Sequence, residues 1–271
     1  MQITFIGGGN MASALVGGLL GRGVPGTALN VVEPLHEARA RIGEAFGVAC
    51  FERVADVPAL GEVVVFAVKP QQMRSAAHEV GPHLGAAIAL SVAAGIRLAD
   101  LRRWLGGTPM LARCMPNTPA LIGLSATAAY AEPRASAAQR AAIQAILEAV
   151  GIVVWVEEEA LLDPVTALSG SGPAYFFHFI EALEDAGVAM GLPRDTARAL
   201  AIQTARGAGE LAARSSDAPG VLRERVTSRG GTTERALASL AADDVRGAIA
   251  RAAQAANERA RALGDEFGRD P

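Results

Sequence analysis

The chain has 271 residues, enough for one large domain or two ordinary ones with a sizeable core. Apolar residues make up 51%, charged residues 20% and aromatics 4%, which excludes disorder and collagen-like folds and requires a core of Ala, Val, Leu and Ile. A formal charge of −3 is too balanced for a dedicated nucleic-acid binder or a polybasic membrane-surface protein, so a small molecule is the expected partner.

Residues 2–21 carry no charge, yet their six glycines and Asn10 argue against a membrane span, and the missing basic start argues against an export signal. Short apolar runs at 3–6, 29–33, 63–68, 87–91, 110–114, 126–130 and 152–156 read as strands. Helical spacing of apolar residues marks 11–22, 35–46, 98–105 and 137–150. This alternation predicts an α/β fold, an N-terminal Rossmann-like domain with a mainly parallel sheet over 1–156. After Val156 the β-branched runs stop, and 157–271 reads as an all-helical C-terminal domain. Glu157, Glu158 and Glu159 at the junction read as a solvated helix start. Two cysteines, Cys50 and Cys114, with no histidine in zinc-like spacing, suggest neither a disulfide framework nor a metal site and fit a cytoplasmic location.

The first strand runs into Ile6-Gly7-Gly8-Gly9-Asn10-Met11-Ala12, a G-x-G-x-x-A pattern opening a helix. The first glycine permits the tight turn, the second lets a pyrophosphate approach the backbone, and the small Ala12 lets the helix pack closely, with free N–H groups at its start. Glu33, at the end of the second strand, is placed to accept hydrogen bonds from a ribose diol; it reads equally as a surface charge. As a ribose acceptor it would repel a 2′-phosphate and favour NADH over NADPH, while His36 and Arg39 nearby would soften that preference. Lys69, the one lysine of the sequence, lies in Ala67-Val68-Lys69-Pro70 just past a strand, where it would line a cofactor crevice. Small residues after the next strand, Val92, Ala93 and Ala94, would let a nicotinamide ribose lie against the backbone. Met115-Pro116-Asn117-Thr118-Pro119 fixes a loop that aims Asn117, either at a site or as a structural turn. In the helical region, Ser169-Gly170-Ser171-Gly172-Pro173-Ala174-Tyr175 opens an aromatic-rich helix on which His178 reads as a core or interface residue. Ser228-Arg229-Gly230-Gly231-Thr232-Thr233 opens another, whose N–H groups and hydroxyls suit a carboxylate.

In this order the blocks resemble the pyrroline-5-carboxylate reductases, from Ile3 to about Leu263. The resemblance implies reduction of 1-pyrroline-5-carboxylate to L-proline, the last step of proline biosynthesis, by hydride from NADPH or NADH. It further implies a homodimer formed through the helical domain, assembled into a larger ring, in which the GGTT loop of one chain faces the nicotinamide of the other. Carried over residue by residue, Ile6, Gly7, Gly8, Gly9, Asn10 and Met11 would bind the cofactor together with Glu33, Ala67, Val68, Lys69, Pro70, Val92, Ala93 and Ala94. Ser228, Gly230, Gly231, Thr232 and Thr233 would bind the substrate, and Thr233, Lys69 and Asn117 would act at the reacting centre, with no metal. Three departures stand out: Glu33-Pro34 where relatives place Asn-Arg or a Ser-containing pair, Val54 in place of an Asn, and Arg229 in place of the proline of SPGGTT. A β-hydroxyacid dehydrogenase would need a lysine in the second domain, and none follows Lys69. A dinucleotide sensor without turnover would not need the GGTT clamp.

Overall fold

In the computed structural model, which describes residues 1–107 and 109–269, each run read as a strand forms one, with ends shifted by one or two residues. In chain order the elements are β1 (Ile3–Ile6), α1 (Asn10–Gly21), β2 (Leu29–Val32), α2 (His36–Phe46), β3 (Ala49–Phe51), β4 (Val63–Phe66), α3 (Pro70–Val80), β5 (Ile88–Ser91), α4 (Leu98–Leu105), β6 (Met110–Met115), β7 (Ser125–Ala131), α5 (Ala137–Glu148) and β8 (Gly151–Trp155). Two of these, β3 and α3, lie outside the sequence reading. β3 has only three residues at the sheet edge, too few to show a period. α3 begins directly at Pro70, whose fixed φ suits the first helical position, so a residue that reads as a loop marker is a helix start.

The eight strands form one sheet in the order β3-β2-β1-β4-β5-β6-β7-β8. All neighbours pair in parallel except β6 with β7, so the sheet is mainly parallel. Its central strands are apolar on both faces because helices cover both, whereas Ile152 and Val154 of the edge strand β8 are exposed. Ile3, Phe5, Val63 and Val65 pack with Leu15, Leu19, Ile42, Ile143 and Ile146 of α1, α2 and α5. The alternate residues Ile6, Val64 and Phe66 pack with Met73, Ala77, Leu101 and Trp104 of α3 and α4. This period of two is what turns a continuous Val-rich run into two cores, and each fully buried Leu, Ile or Phe contributes about 1.5–3 kcal/mol. α5 has a reciprocal cap: Ser136 Oγ accepts from Gln139 N–H at 3.2 Å while Gln139 Oε1 accepts from Ser136 N–H at 2.9 Å.

The chain continues through α6 (Leu162–Val165), a π-helical turn (Thr166–Gly170), α7 (Gly172–Ala189), α8 (Arg194–Arg214), α9 (Pro219–Arg225), α10 (Thr232–Ala242) and α11 (Val245–Phe267). Residues 1–171 with 255 onward make one compact unit, and 172–254 make a second. The spatial division therefore falls later than the change of sequence pattern at Val156. Buried Leu162, the bond from Asn117 Nδ2 to the Ser169 carbonyl at 3.0 Å, and Glu159 attach 157–171 to the sheet. The end of α11 returns to the first unit, where Arg97 pairs with Asp265 at 2.7 Å and Leu263 and Phe267 close over Gly95.

In the second unit α7 and α8 pack through small residues. A Cβ on Gly187 would stand 2.9 Å from that of Ala197, so the two helices approach here as closely as backbone allows. Glu184 is 7% exposed and accepts from Arg198 Nε at 2.8 Å and Arg194 Nη1 at 2.7 Å. Hydrogen bonds from Arg198 and then Arg194 hold its carboxyl down at about 2. Among the described residues no helix is long and apolar enough to cross a membrane.

Candidate functional site

The sheet order reverses between β1 and β4, and at such a switch point the crevice opens outside the strand carboxyl ends. Four predicted cofactor segments meet there. β1 delivers Ile6 to Met11, β2 delivers Glu33, β4 delivers Ala67 to Pro70, and β5 delivers Val92 to Ala94. Gly7 joins the first and third: it has φ +99°, and a Cβ there would lie 2.8 Å from the Ala67 carbonyl oxygen and 3.0 Å from Val68 Cγ1. Gly8 donates its N–H to Glu33 Oε2 at 2.8 Å. Gly9 faces open space and precedes α1, which has no side-chain cap, so the helix presents its first N–H groups to the crevice. Buried Ala12 meets the sheet as expected of the small residue in the motif. Ala93 N–H donates to Ser91 Oγ at 3.3 Å and Val92 N–H to the Phe66 carbonyl at 3.1 Å, which ties the β5 loop to β4.

Bare N–H groups at a helix start, a glycine open to solvent and a carboxylate at the end of the neighbouring strand are the chemistry that suits a dinucleotide. Glu33 does more than the sequence reading assigned it. Its Oε1 accepts from Leu35 N–H at 2.9 Å while Oε2 holds Gly8, so the carboxylate ties the loop after β2 to the glycine turn. Arg39 is not a loose cation either: Nη1 donates to the carbonyls of Glu33 and Pro34 at 2.7 and 3.0 Å, and Nη2 pairs with Glu52 at 3.1 Å.

Lys69 is exposed at the position before Pro70, and no hydrogen bond or ion pair engages its ammonium among the described residues. Asn117 is different. Its Nδ2 donates to the Ser169 carbonyl, and its Oδ1 accepts from Ala126 N–H at 3.0 Å and Ser125 Oγ at 3.2 Å. At 9% exposure its amide is occupied on both sides, which makes it a strut between the loop after β6, the start of β7 and the π-helical turn. π-turns often mark functional sites, and the last two residues of this one, Ser169 and Gly170, open the Ser169–Gly172 motif.

Glu159 was expected in a solvated cluster with Glu157 and Glu158; those two are exposed, but Glu159 accepts from buried Arg113 at 3.2 Å and from Leu98 N–H at 2.8 Å. A buried arginine on β6 demands such a partner, and only the fold brings the two together. Cys114 is buried, and that burial pushes its thiol up to about 12, which removes it as a nucleophile.

In the second unit, Gly231 caps α10 and Gly230 takes φ +73°. Ser228, Arg229, Gly230 and Thr232 are exposed and Thr233 is half-buried, so the loop offers hydroxyls and helix-start N–H groups. Glu234, missed in the sequence reading, accepts from Gly230 N–H at 2.7 Å and fixes the turn. Its signal was an acidic residue in the first helical turn.

Residues 159–263 match a family model described as pyrroline-5-carboxylate reductase dimerisation, and residues 2–95 match one described as NADP oxidoreductase, coenzyme F420-dependent. The chain is 44% identical over 268 residues to the pyrroline-5-carboxylate reductase of Pseudomonas aeruginosa, covering 98% of each. The chain belongs to the pyrroline-5-carboxylate reductase family. Its structure is similar to that of the pyrroline-5-carboxylate reductase of Coxiella burnetii, with a TM-score of 0.92 and 36% identity over 97% of this chain and 98% of that one. It is also similar to the pyrroline carboxylate reductase of Plasmodium falciparum with NADP bound, with a TM-score of 0.85 and 28% identity over 97% and 98%. In this chain a mainly parallel sheet is followed by helices that match the dimerisation model.

Proposed function

We propose that the protein reduces 1-pyrroline-5-carboxylate to L-proline with NADH or NADPH, as the last step of proline biosynthesis. The observation that carries this reading is the meeting of the glycine turn, Glu33, the Ala67–Val68 backbone and Val92 to Ala94 at one sheet edge, in a chain of this family. When bound, the nicotinamide supplies a hydride. The chain's residues bind and orient. Gly9 and the start of α1 hold the pyrophosphate beside the Gly8 turn that Glu33 fixes, Ala67 to Pro70 and Val92 to Ala94 flank the nicotinamide ribose, and the exposed Lys69 lines the crevice. Ser228, Gly230, Gly231, Thr232 and Thr233 hold the substrate carboxylate and ring nitrogen. A protonated cyclic imine is already electrophilic, so orientation and a carboxylate clamp suffice without an acid–base triad. Asn117 acts here through its strut, by holding the Ser169–Gly172 segment in place.

We place the protein in the cytoplasm, in keeping with its two free cysteines, and in a homodimer that assembles into a larger ring. The reading is tested by following nicotinamide absorbance when purified protein receives 1-pyrroline-5-carboxylate; no consumption of either cofactor would overturn it. NADH is expected to serve at least as well as NADPH, because the Glu33 carboxylate at the ribose position repels a 2′-phosphate. A strong NADPH preference unchanged in Glu33→Ser would refute that part. Thr233→Ala is expected to lower kcat/KM by roughly 10- to 100-fold, the loss of one charge-assisted hydrogen bond of about 1.5–3 kcal/mol. Unaltered kinetics would remove Thr233 from the clamp.

A further inference from the structure

Two carboxylates stand side by side at the carboxyl ends of β2 and β3, the strands that border the adenosine end of the crevice. Glu33 N–H donates to the Phe51 carbonyl at 2.9 Å, so Glu33 and Glu52 are the next residues on adjacent strands. They hold different partners. Glu33 is spent on the backbone N–H groups of Gly8 and Leu35. Glu52 is spent on Arg39. Arg39 itself is pinned: its side chain is 17% exposed, its Nη1 sits on the carbonyls of Glu33 and Pro34, and its Nη2 sits on Glu52. The guanidinium bonded to Glu33's own carbonyl is therefore beside the ribose position and carries a fixed geometry.

A 2′-phosphate is recognised by an arginine whose fork is available and whose charge is not already matched. Here the charge is matched by Glu52, and Nη1 and Nη2 are both engaged. We infer that Glu52 is a cofactor-selectivity residue, which works at one remove by neutralising and immobilising Arg39 and so withholding from a 2′-phosphate a cation bonded to the Glu33 backbone. This deepens the NADH reading given above: Glu33 repels the phosphate directly, and Glu52 removes the compensation that Arg39 would supply. Glu52 is a positioning residue, acting only through Arg39.

The test is direct binding, by calorimetry on the apo-protein, of ADP-ribose and of its 2′-phosphorylated form, compared in wild type, Glu52→Gln, Arg39→Ala/Glu52→Gln and Glu33→Ser. At low ionic strength Glu52→Gln is expected to tighten the 2′-phosphorylated ligand relative to ADP-ribose by about three- to fivefold, because the Nη2 group of Arg39 that Glu52 now holds is released to the phosphate. The gain should vanish in high salt and in the double variant, since it runs through Arg39. An unchanged ratio of the two dissociation constants in Glu52→Gln, or a gain that survives loss of Arg39, would overturn the inference. The two readings fail separately. A wild type that binds the 2′-phosphorylated ligand more tightly refutes the NADH preference, whereas the Glu52 ratio is read against whatever wild type shows. ADP-ribose binding in each variant reports that the fold is intact.

Discussion

Phe179→Asp is expected to abolish turnover and to leave a monomer that still binds dinucleotide. Within one chain the second unit has little core of its own: its buried residues are Gly172, Glu184, Gly187, Ala197 and Ala201. Its large apolar side chains lie outside, with Phe176 68%, Phe177 66% and Phe179 43% exposed. Phe179 lines a groove of about 390 Å³ with Tyr175, Val245 and Ile249. Solvating such a set forfeits about 1.5–3 kcal/mol for each large side chain, and a second copy of a chain whose residues 159–263 match a dimerisation model is the natural cover. An aspartate at the centre of that cover would be buried without a partner. Light scattering with parallel assays and a dinucleotide titration decides the matter; a fully active monomer would overturn it.

Gly7→Ala should be almost as damaging, at the other end of the chain. The methyl group would sit 2.8 Å from the Ala67 carbonyl oxygen, and φ +99° is a region that L-residues avoid. Either β1 and β4 separate at the crevice or the turn changes shape. A stability loss of about 2–4 kcal/mol is expected together with loss of dinucleotide affinity. Chemical denaturation measures the first and cofactor fluorescence titration the second. Retained affinity in a destabilised protein would mean that the turn does not shape the cofactor site.

The glycine turn, the strand ends and the GGTT loop were legible because each is written in a few consecutive residues: a period-two run, then glycines, then a helical period. What the sequence reading missed depends on pairs distant along the chain. Glu33 reads as a free acceptor, yet Gly8, 25 residues earlier, already holds it. Asn117 reads as a candidate reactive group, and its amide is taken up by Ser169, 52 residues later. Glu159 reads as solvated until β6 presents Arg113 from 46 residues away. No local pattern announces such partners, since each side chain is an ordinary surface type until the fold buries its neighbour. The three-residue β3 fails for a different reason: it is too short to carry a period, although it places Glu52 beside Arg39.

The return of α11 to the first unit has a consequence for how the protein is made. Because 172–254 is inserted between 1–171 and the end of α11, the piece that covers Gly95 and pairs with Arg97 is made long after the strands it joins. At roughly 5–20 residues per second, the nascent sheet, complete at Trp155, waits about 5–22 s for Leu263. During that interval the loop after β5 is uncovered, and a chain truncated before residue 255 would remain permanently in that condition. Synthesis of the end of α11, rather than emergence of the last strand, is then the event that completes the first unit.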